Sequence, residues 1–379
     1  MEPAAPLKVY VIAGEASGDM HGKNLVAALQ RQRPGIQFRG VGGDGLQSKG
    51  MELVAHIRHT NFMGFVQVIQ NIGTIRRLFK TVKADIRAWQ PDVVILIDYP
   101  GFNLRMAKFI HGLGIRVFYY ISPTIWAWKK GRIKQIRAYV DKMFPILPFE
   151  QDYYRTQGME VDYCGHPLLD EVAQRTYRGD ELSAVYAPEG QPVIALLPGS
   201  RKQEVARMLP RMLSVVRHFP QARFLIAGAT TLDESYYRQF VGELDVPLIM
   251  GRTYDVLDAA DYALVTSGTA TLETALMRVP EVVCYHANGL SVWIARRIID
   301  VKYISLVNLI MDAEIVRELI QQDLTTDNLV AELKKLMDPG HRSRLLGQYA
   351  ALKQKLGDKG ASERLATKML GYLEEWGKR

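Results

Sequence analysis

The residues best suited to chemistry follow an apolar run and begin a predicted helix. The segment is IALLPGSRKQEV, and it delivers Gly199, Ser200 and Arg201 directly after a predicted strand. Backbone N–H groups at a helix start, a hydroxyl and a guanidinium can together bind a diphosphate. Arg201 can also neutralise charge that develops on a leaving group. The alternative is an ordinary helix start that binds nothing.

A second segment, YALVTSGTATLETAL, repeats this arrangement. Ser267, Gly268 and Thr269 form its predicted turn, and Glu273 follows early in the helix. A carboxylate there can accept hydrogen bonds from both hydroxyls of a ribose. The alternative is a capping box, but that motif places the acid three residues after the cap, whereas Glu273 lies four residues after Thr269. We therefore favour ligand binding.

Asp98 ends the buried run of the segment VVILIDYPGFN. A carboxylate at the end of a strand, beside a cleft, can accept a proton from a sugar hydroxyl. The alternative is that Asp98 caps the helix predicted to begin near Phe102.

The N-terminal segment VIAGEASGDMHG is typical of a strand, a turn and a helix. Gly14 and Gly18 would let backbone N–H groups approach a ligand, and Ser17 or Asp19 would cap the helix. An ordinary turn between a strand and a helix is the alternative. A later glycine-rich segment, FRGVGGDGLQSKG, lacks the G-x-G-x-x-G spacing after a clear strand, so we predict no dinucleotide site.

Two further segments combine apolar side chains with cations and contain no acid. In ISPTIWAWKKGRIKQIR, two tryptophans, Trp126 and Trp128, precede a set that we call the loop cations: Lys129, Lys130, Arg132 and Lys134. In TNFMGFVQVIQNIGTIRRLFKTVK, the apolar residues before the cations include Phe62, Met63 and Phe65. Aromatic residues beside unneutralised cations fit a surface of anionic lipid. The alternative is that these apolar side chains are packed inside the protein.

Composition limits the classes of protein to consider. The 379 residues are 48% hydrophobic and 23% charged, which predicts a folded chain with two domains or more. The net charge of +8 favours anionic partners. Cys164 and Cys284 have no metal-ligand spacing and the histidines form no H-x-x-x-H pair, so we predict no metal site and a reducing compartment. The N-terminus does not resemble a signal peptide, and no apolar run approaches the roughly 20 residues of a membrane span, so membrane contact would be peripheral.

The elements that must position these residues alternate short apolar strands with longer mixed segments, the pattern of a parallel α/β sheet. In the first half, strands are predicted at Leu7–Ala13, Val93–Asp98, Val117–Ser122, Met143–Leu147 and Val161–Cys164. In the second half, they are predicted at Val193–Leu197, Arg223–Ala227, Pro247–Met250, Tyr262–Thr266 and Glu281–Tyr285. Helices are predicted to begin near Ser17, Phe102, Lys202, Tyr254 and Thr269.

This pattern predicts two α/β lobes with a cleft between them. The N-terminal lobe would be 1–175, the linker 176–192, the C-terminal lobe 193–342, and a helical tail 343–379. Ligands of such sheets bind at the carboxyl ends of the strands.

Nine segments, in this order, resemble the lipid-A-disaccharide synthase family. They are AGEASGD, FMGFVQV, IDYPGFN, ISPTIWAWKKGR, FPILPFE, GHPLLDE, LLPGSRKQEV, SGTATLETAL and YISLVNLI. The family consists of inverting glycosyltransferases of the GT-B fold, in which two Rossmann-like lobes with parallel sheets flank an interlobe cleft. The resemblance implies transfer of 2,3-diacylglucosamine from its UDP carrier to 2,3-diacylglucosamine 1-phosphate. The product would be the β-1,6-linked disaccharide of lipid A, made without a cofactor.

Carried over motif by motif, the resemblance implies that Asp98 is the general base on the acceptor 6-hydroxyl and that Arg201 stabilises the departing UDP. The implied UDP-binding set is Gly199, Ser200, Arg201, Tyr254, Ser267, Gly268, Thr269, Glu273 and Asn308. The implied acceptor-site or loop set is Glu15, Ser17, Asp19 and Asn103. The implied membrane set is Phe62, Met63, Phe65, Trp126, Trp128 and the loop cations. Because Asp98 and Arg201 lie in different predicted lobes, the lobes would have to close for transfer.

Three positions depart from the family pattern. Gln67 stands where Glu is common, which weakens a catalytic role there. His286 stands where Lys or Arg often follows the tyrosine, and Val307 replaces the usual Pro before Asn308, so both put the donor-site geometry in doubt.

The expected partners are the two acylated sugars and the anionic inner membrane, with a homodimer left open and no nucleic acid. The expected location is cytoplasmic and peripheral, on the inner face of the inner membrane.

Two other functions stay open. One is another UDP-sugar enzyme of the GT-B fold, such as a peptidoglycan-precursor transferase or a UDP-N-acetylglucosamine epimerase. Such an enzyme would share the turn at Ser267, Gly268 and Thr269 but would not need the segment ISPTIWAWKKGRIKQIR. A nucleic-acid-binding protein would use the basic surface, but these segments lack a recognised binding module and interleave their charges with aliphatic residues. The first is the nearer alternative.

Overall fold

The computed structural model describes residues 6–59, 72–287 and 302–377. The chain divides into two compact units: unit 1 is Met1–Asp170 with Asp358–Arg379, and unit 2 is Glu171–Gly357. Each unit is described by itself, and elements are numbered in chain order. Among the helices in the described ranges, none is both long enough and apolar enough to cross a bilayer.

Unit 1 is built around a parallel sheet with the strand order β3-β2-β1-β4-β5-β6. The strands are β1 (Lys8–Ala13), β2 (Gln37–Gly42), β3 (Glu52–His56), β4 (Val93–Ile97), β5 (Arg116–Tyr120) and β6 (Lys142–Phe144). The helices from the first part of the chain are α1 (Ala16–Gln32), α2 (Asp44–Gln47), α3 (Ile72–Trp89), α4 (Pro100–His111), α5 (Ile133–Tyr139), α6 (Glu150–Thr156) and α7 (Leu168–Gln174).

The core of unit 1 lies on both faces of this sheet, because successive strand residues point to opposite faces. Tyr10 of β1 packs in one cluster with Val82 of α3 and Met106 of α4. Its neighbour Val9 packs in the other cluster with Leu25 of α1. Full burial of such side chains typically stabilises a fold by about 1.5–3 kcal/mol each. Because the central strands are buried on both faces, their sequences are nearly continuous apolar runs.

The last helix of the chain, α16 (Ala361–Gly377), returns to unit 1. The Asp170 carboxylate accepts hydrogen bonds from the backbone N–H groups of Gly360 and Ser362, the latter at 3.0 Å. A carboxylate at a helix N-terminus satisfies donors that have no partner within the helix. Met369 of this helix joins the apolar cluster on the α1 face of the sheet.

Unit 2 repeats the architecture with the parallel strand order β12-β11-β10-β7-β8-β9. The strands are β7 (Val193–Leu197), β8 (Arg223–Gly228), β9 (Leu248–Met250), β10 (Tyr262–Thr266), β11 (Glu281–Tyr285) and β12 (Arg317–Ile320). The described helices are α8 (Gly179–Tyr186), α9 (Lys202–Leu213), α10 (Glu234–Val241), α11 (Thr253–Ala259), α12 (Thr269–Leu276), α13 (Leu306–Met311), α14 (Thr326–Met337) and α15 (Pro339–Leu356).

The predicted α/β fold with two parallel sheets is confirmed, and the strands β7, β10 and β11 have the bounds predicted for them. The strand predicted at Val161–Cys164 is wrong. That segment is irregular, and a backbone hydrogen bond from Asp162 N to Met143 O, at 3.1 Å, joins it to the sheet edge. We did not predict β2, β3 or β12. Glycines interrupt β2, and glycine is unfavourable in strands, while β3 and β12 are edge strands that are only partly buried.

The stretch 176–192 predicted as a linker contains α8, which is fixed to α11 by a hydrogen bond from Gly179 N to the Asp258 carboxylate at 2.9 Å. The predicted tail, 343–379, is divided between the units: α15 belongs to unit 2 and α16 to unit 1. The physical reason is that α16 has an apolar face that covers the sheet of unit 1.

Candidate active site

In unit 1, the turn after β1 and the turn after β4 lie side by side, because these strands pair with Ala13 opposite Ile97. The Tyr99 ring covers the first turn so closely that a Cβ atom on Gly14 would lie 2.2 Å from it. Glycine is therefore required at this position. Glu15 lies near enough to add to the effect of burial in raising the pKa of the Tyr99 hydroxyl.

Asp98 occupies the tightest part of the second turn. Asp98 and Tyr99 both have left-handed backbone angles, with φ of 46° and 48°, a conformation that costs energy in non-glycine residues. The backbone is held there through the Asp98 carbonyl oxygen, which accepts hydrogen bonds from the Tyr119 hydroxyl at 2.7 Å and from the Asn103 amide at 2.8 Å. The surrounding structure thus fixes where the Asp98 side chain begins.

The Asp98 carboxylate does not cap the helix that follows this turn. Tyr99 is the N-cap of α4 and there is no side-chain cap hydrogen bond, so the helix-cap alternative for Asp98 is not supported. Burial raises the pKa of the Asp98 carboxyl, and a hydrogen bond from the backbone of Tyr99 opposes that effect. A half-buried carboxylate with a raised pKa and few partners suits a general base.

Three of the residues predicted for the acceptor site have surroundings that differ from one another. Asn103 is fully buried and uses its amide to hold backbone carbonyls of the Asp98 turn. Asp19 accepts hydrogen bonds from the backbone of Gly43, Gly45 and Leu46 at 2.6–3.1 Å, so it fixes the start of α2 directly after β2. Ser17 is exposed. The predicted cap of α1 by Ser17 or Asp19 is wrong, because the N-cap residue is Glu15, and no side-chain hydrogen bond caps this helix.

The segment 121–128, which we call the Trp segment, contains two tryptophans with different surroundings. Trp126 is partly buried: its indole N–H donates to the Glu150 carboxylate at 3.2 Å and its ring meets Phe149 edge-on at 4.9 Å between centroids. The packed alternative therefore describes Trp126 better than lipid contact does.

Trp128 is 36% exposed, which is high for so large an apolar side chain. Its indole N–H donates to the Thr124 hydroxyl at 3.0 Å, and Lys129 Nζ lies 4.4 Å from the centroid of its ring. Of the other loop cations, Lys130 and Arg132 lie in the turn that leads into α5 and Lys134 lies in α5; Lys130 and Lys134 are exposed and Arg132 is partly buried. Phe62, Met63, Phe65 and Gln67 lie outside the described residues.

In unit 2, a carboxylate from the first turn of α9 closes the turn between β7 and α9. Glu204 accepts hydrogen bonds from the backbone N–H groups of Ser200 and Arg201 at 3.1 and 3.2 Å, and from the Arg201 guanidinium at 3.0 Å. Gly199 has a φ of 100°, and a Cβ there would lie 2.5 Å from Glu204. These N–H groups are thus used within the turn, contrary to the predicted diphosphate cradle, whereas the Arg201 side chain is 60% exposed.

The turn after β10 presents Gly268 and Thr269 on the surface, while the Ser267 hydroxyl donates to the Ile304 carbonyl at 3.0 Å. Burial raises the pKa of Glu273 to about 7, and the charge of Arg175 opposes this rise. A carboxyl group that loses its proton also loses a hydrogen-bond donor and becomes an acceptor only, so ionisation of Glu273 would change which ligand groups it can bind.

Tyr254 lies near Glu273 and is flanked by residues that sequence analysis missed. The Arg175 guanidinium carbon lies 4.2 Å from the centroid of the Tyr254 ring, and Tyr177 stacks on this ring at 6.4 Å. The negative charge of Glu273 adds to burial in raising the pKa of Tyr254. Tyr254, Glu273 and Arg175 thus form one cluster. The spacing of residues in the sequence could not identify Arg175 or Tyr177. They follow α7, whereas Tyr254 and Glu273 belong to α11 and α12.

Asn308 does not have the free amide that nucleotide binding would need. It is fully buried, donates to Val316 O and the Glu318 carboxylate, both at 2.8 Å, and accepts from the backbone of Ile315 and Val316. These four bonds exhaust its capacity. Asn308 therefore fixes the loop between α13 and β12, with Glu318 as an unpredicted partner.

The two described departures lie in this unit. His286 follows β11, and burial, with Arg211 and Arg207 nearby, lowers its pKa. Val307 is fully buried within α13. Within residues 6–59, 72–287 and 302–377, no cluster of three His, Cys, Asp or Glu residues is arranged to hold a metal ion.

Comparisons with known proteins agree along nearly the whole chain. The family model described as lipid-A-disaccharide synthetase matches residues 9–367. A lipid-A-disaccharide synthase of Syntrophus aciditrophicus is 42% identical over 375 residues, covering 97% of this chain and 98% of the relative. One of Myxococcus xanthus is 38% identical, with the same coverage.

Solved structures support the fold. A UDP-N-acetylglucosamine 2-epimerase from Neisseria meningitidis, bound to UDP-GlcNAc, has a TM-score of 0.67 at 13% identity and covers 96% of this chain and 100% of its own. A glycosyltransferase of kitacinnamycin has a TM-score of 0.67 at 15% identity, covering 97% and 99%. At such identities the similarity concerns the fold alone.

Proposed function

The chain belongs to the lipid-A-disaccharide synthase family, and on this basis we propose that it transfers 2,3-diacylglucosamine from UDP-2,3-diacylglucosamine to 2,3-diacylglucosamine 1-phosphate. The reaction forms the β-1,6 linkage of the lipid A disaccharide and releases UDP. The observation that carries this proposal is the family match over residues 9–367, together with full-length relatives of the same name at 42% and 38% identity. The protein is thus a glycosyltransferase of lipid A biosynthesis.

We assign the general base to Asp98. An inverting transfer needs a base that removes the proton of the acceptor 6-hydroxyl as that oxygen attacks the sugar from the side opposite UDP. The rigid turn at Asp98, its carboxylate without a capping role, and its raised pKa support this role. Tyr119 and Asn103 keep the base in place, because they hold the carbonyl of the same residue.

We assign the donor to unit 2, with Arg201 beside the diphosphate and Glu273 on the ribose. The exposed Arg201 guanidinium is a cation suited to the charge that grows on UDP as the glycosidic bond breaks. The Glu204 carboxylate accepts a hydrogen bond from this guanidinium and so orients it. Glu273, next to Tyr254 and Arg175, offers a carboxylate that can accept two ribose hydroxyls when it is ionised.

We also propose peripheral contact with the anionic inner face of the inner membrane, where both acylated substrates would be anchored. Trp128 and the loop cations support this contact, because an exposed indole beside several cations suits the headgroup region. Trp126 is left out of this surface, because Glu150 and Phe149 hold it.

The test is mass spectrometry of the products formed from defined acylated donor and acceptor by the purified protein. The expected result is a tetraacyl disaccharide monophosphate and one UDP per disaccharide. UDP-N-acetylglucosamine is the control donor: its conversion to an epimer or a disaccharide, without reaction of the acylated donor, would replace this proposal with the alternative UDP-sugar enzyme.

A further inference from the structure

A buried carboxylate that the proposed reaction does not use lies behind the Trp segment. Glu150, the first residue of α6, is 1% exposed. One of its oxygens accepts the Trp126 indole N–H at 3.2 Å, and the other accepts the backbone N–H of Leu147 at 3.0 Å. One side chain thus joins the Trp segment to the loop before α6.

The same helix holds the Trp segment at two more points. The Tyr153 hydroxyl donates to the Ile125 carbonyl at 3.2 Å, and the Tyr154 hydroxyl is 2.8 Å from the Ser122 hydroxyl. Between residues 121 and 128 there is no helix or strand to maintain the conformation. A backbone hydrogen bond from Ile121 N to Phe144 O of β6, at 3.0 Å, holds the start of the segment, and side chains of α6 hold the rest of it at three points.

These contacts continue toward the proposed base. Tyr154 and Tyr119 are both fully buried in one cluster of packed side chains, and burial is the main cause that raises the pKa of the Tyr119 hydroxyl, with a smaller contribution from Tyr154. That hydroxyl donates to the Asp98 carbonyl at 2.7 Å. A line of buried polar side chains therefore runs from Glu150 beneath the Trp segment to the Asp98 turn.

A carboxylate is a costly choice for a purely structural anchor. Burial raises the pKa of Glu150 to about 7 despite hydrogen bonds that lower it, and an apolar or amide side chain would avoid this desolvation. Only a carboxylate, however, offers acceptors to both N–H donors, since an amide would turn one NH₂ group toward one of them.

We propose that Glu150 is a positioning residue for transfer: it fixes the Trp segment, and with it Trp128, next to the turn that carries Asp98. This inference rests on the proposed function, in which Asp98 activates the acceptor. Without the Glu150 anchor, the segment moves away from α6, and the acceptor reaches Asp98 in poorer alignment.

The test compares Glu150→Gln with Glu160→Gln, the same change at an 82%-exposed site just beyond α6. We expect Glu150→Gln to lower kcat/KM for the acceptor by about 10- to 100-fold, the scale that small misplacements of reacting groups produce, and to leave the donor KM unchanged. Limited trypsin digestion gives a second readout: cleavage after the exposed Lys129 and Lys130 should accelerate. Glu160→Gln should change neither.

A double-mutant cycle that combines Glu150→Gln with Trp126→Phe tests whether Glu150 acts through its hydrogen bond to Trp126. Trp126→Phe keeps a ring against Phe149 and removes the indole donor, so the combined variant should be no worse than the poorer single one. Additive losses, or normal acceptor kinetics and normal digestion in Glu150→Gln, would overturn the proposal.

If Glu150→Gln does not fold, Trp126→Phe and Ser122→Ala replace it, and wild-type acceptor kinetics in both would overturn the proposal equally. If the wild-type protein makes no disaccharide, the proposed function fails instead, while the digestion rates still test the anchor.

Discussion

Replacement of Asp98 by Asn should remove most of the transferase activity and little of the stability. The substitution keeps the shape of the side chain and an oxygen that can accept the hydrogen bond from the Tyr99 backbone. It also leaves intact the two hydrogen bonds that hold the strained turn through the backbone carbonyl of residue 98. What the change removes is the ability to accept a proton. A general base contributes about 10²–10⁴-fold, and a factor of ten corresponds to about 1.36 kcal/mol, so the barrier should rise by about 3–5 kcal/mol.

The direction of the pKa shift predicts the pH dependence of both quantities. Because burial raises the pKa of Asp98, the folded state favours the protonated form. The stability from this shift is present below the unfolded pKa and is lost as pH rises through the folded pKa. Near neutral pH, Asp98→Asn should therefore unfold at the same temperature as the wild type or above it. Wild-type kcat/KM should rise with pH through the raised pKa, and the variant should lose that rise.

The assay is UDP release with disaccharide detection by mass spectrometry, run beside calorimetric unfolding. Asp152→Asn is the matched control, because this carboxylate is 80% exposed on α6 and pairs with Arg155. A folded Asp98→Asn protein that retains wild-type turnover and the same pH profile would refute the assignment of the base.

Three further changes test the other assignments. Arg201→Ala should lower turnover by about 10²–10³, or about 3–4 kcal/mol, because the leaving group loses its cation; Arg238→Ala, an exposed arginine of α10, is the control, and equal rates in the two variants would exclude Arg201. Uridine should bind more tightly as pH rises through about 7, where Glu273 ionises, and calorimetry should find this dependence absent in Glu273→Gln. Uridine is used instead of a uridine phosphate because a terminal phosphate itself titrates near pH 6. Binding of uridine to the wild type that does not change with pH would contradict a ribose contact. Replacing all loop cations by Gln should weaken co-sedimentation with anionic vesicles by about 1 kcal/mol per cation with little change in unfolding temperature; unaltered vesicle binding would mean that these cations do not meet the membrane.

Sequence reasoning predicted best what depends on neighbours in the chain. The strands β7, β10 and β11 were predicted to the residue, because central parallel strands are buried on both faces and read as apolar runs. The glycine-rich β2 was missed for the opposite reason, since its place in the sheet is set by pairing with β1 rather than by its own composition.

The candidate site shows the same limit. Asp98 and Arg201 could be proposed from the sequence because each follows a predicted strand, in a turn whose residue types suit chemistry. Glu204 could not be foreseen as a competitor for the N–H groups of the second turn, because that depends on the conformation of one helix start. Arg175 beside Tyr254 and Tyr119 beneath Asp98 come from distant elements, so only the folded structure brings them to the site.

The return of α16 to unit 1 has a consequence for synthesis. Protein chains emerge from the ribosome N-terminus first, and domains generally fold as units. Unit 1 cannot do so here, because its last helix emerges only after all of unit 2, residues 171–357. Until then the Asp170 carboxylate has no α16 N-terminus to hold, and the apolar groups that Met369 and its neighbours cover are exposed. A chain that stops before Ala361 thus lacks part of unit 1, although residues 1–170 of that unit have already been made.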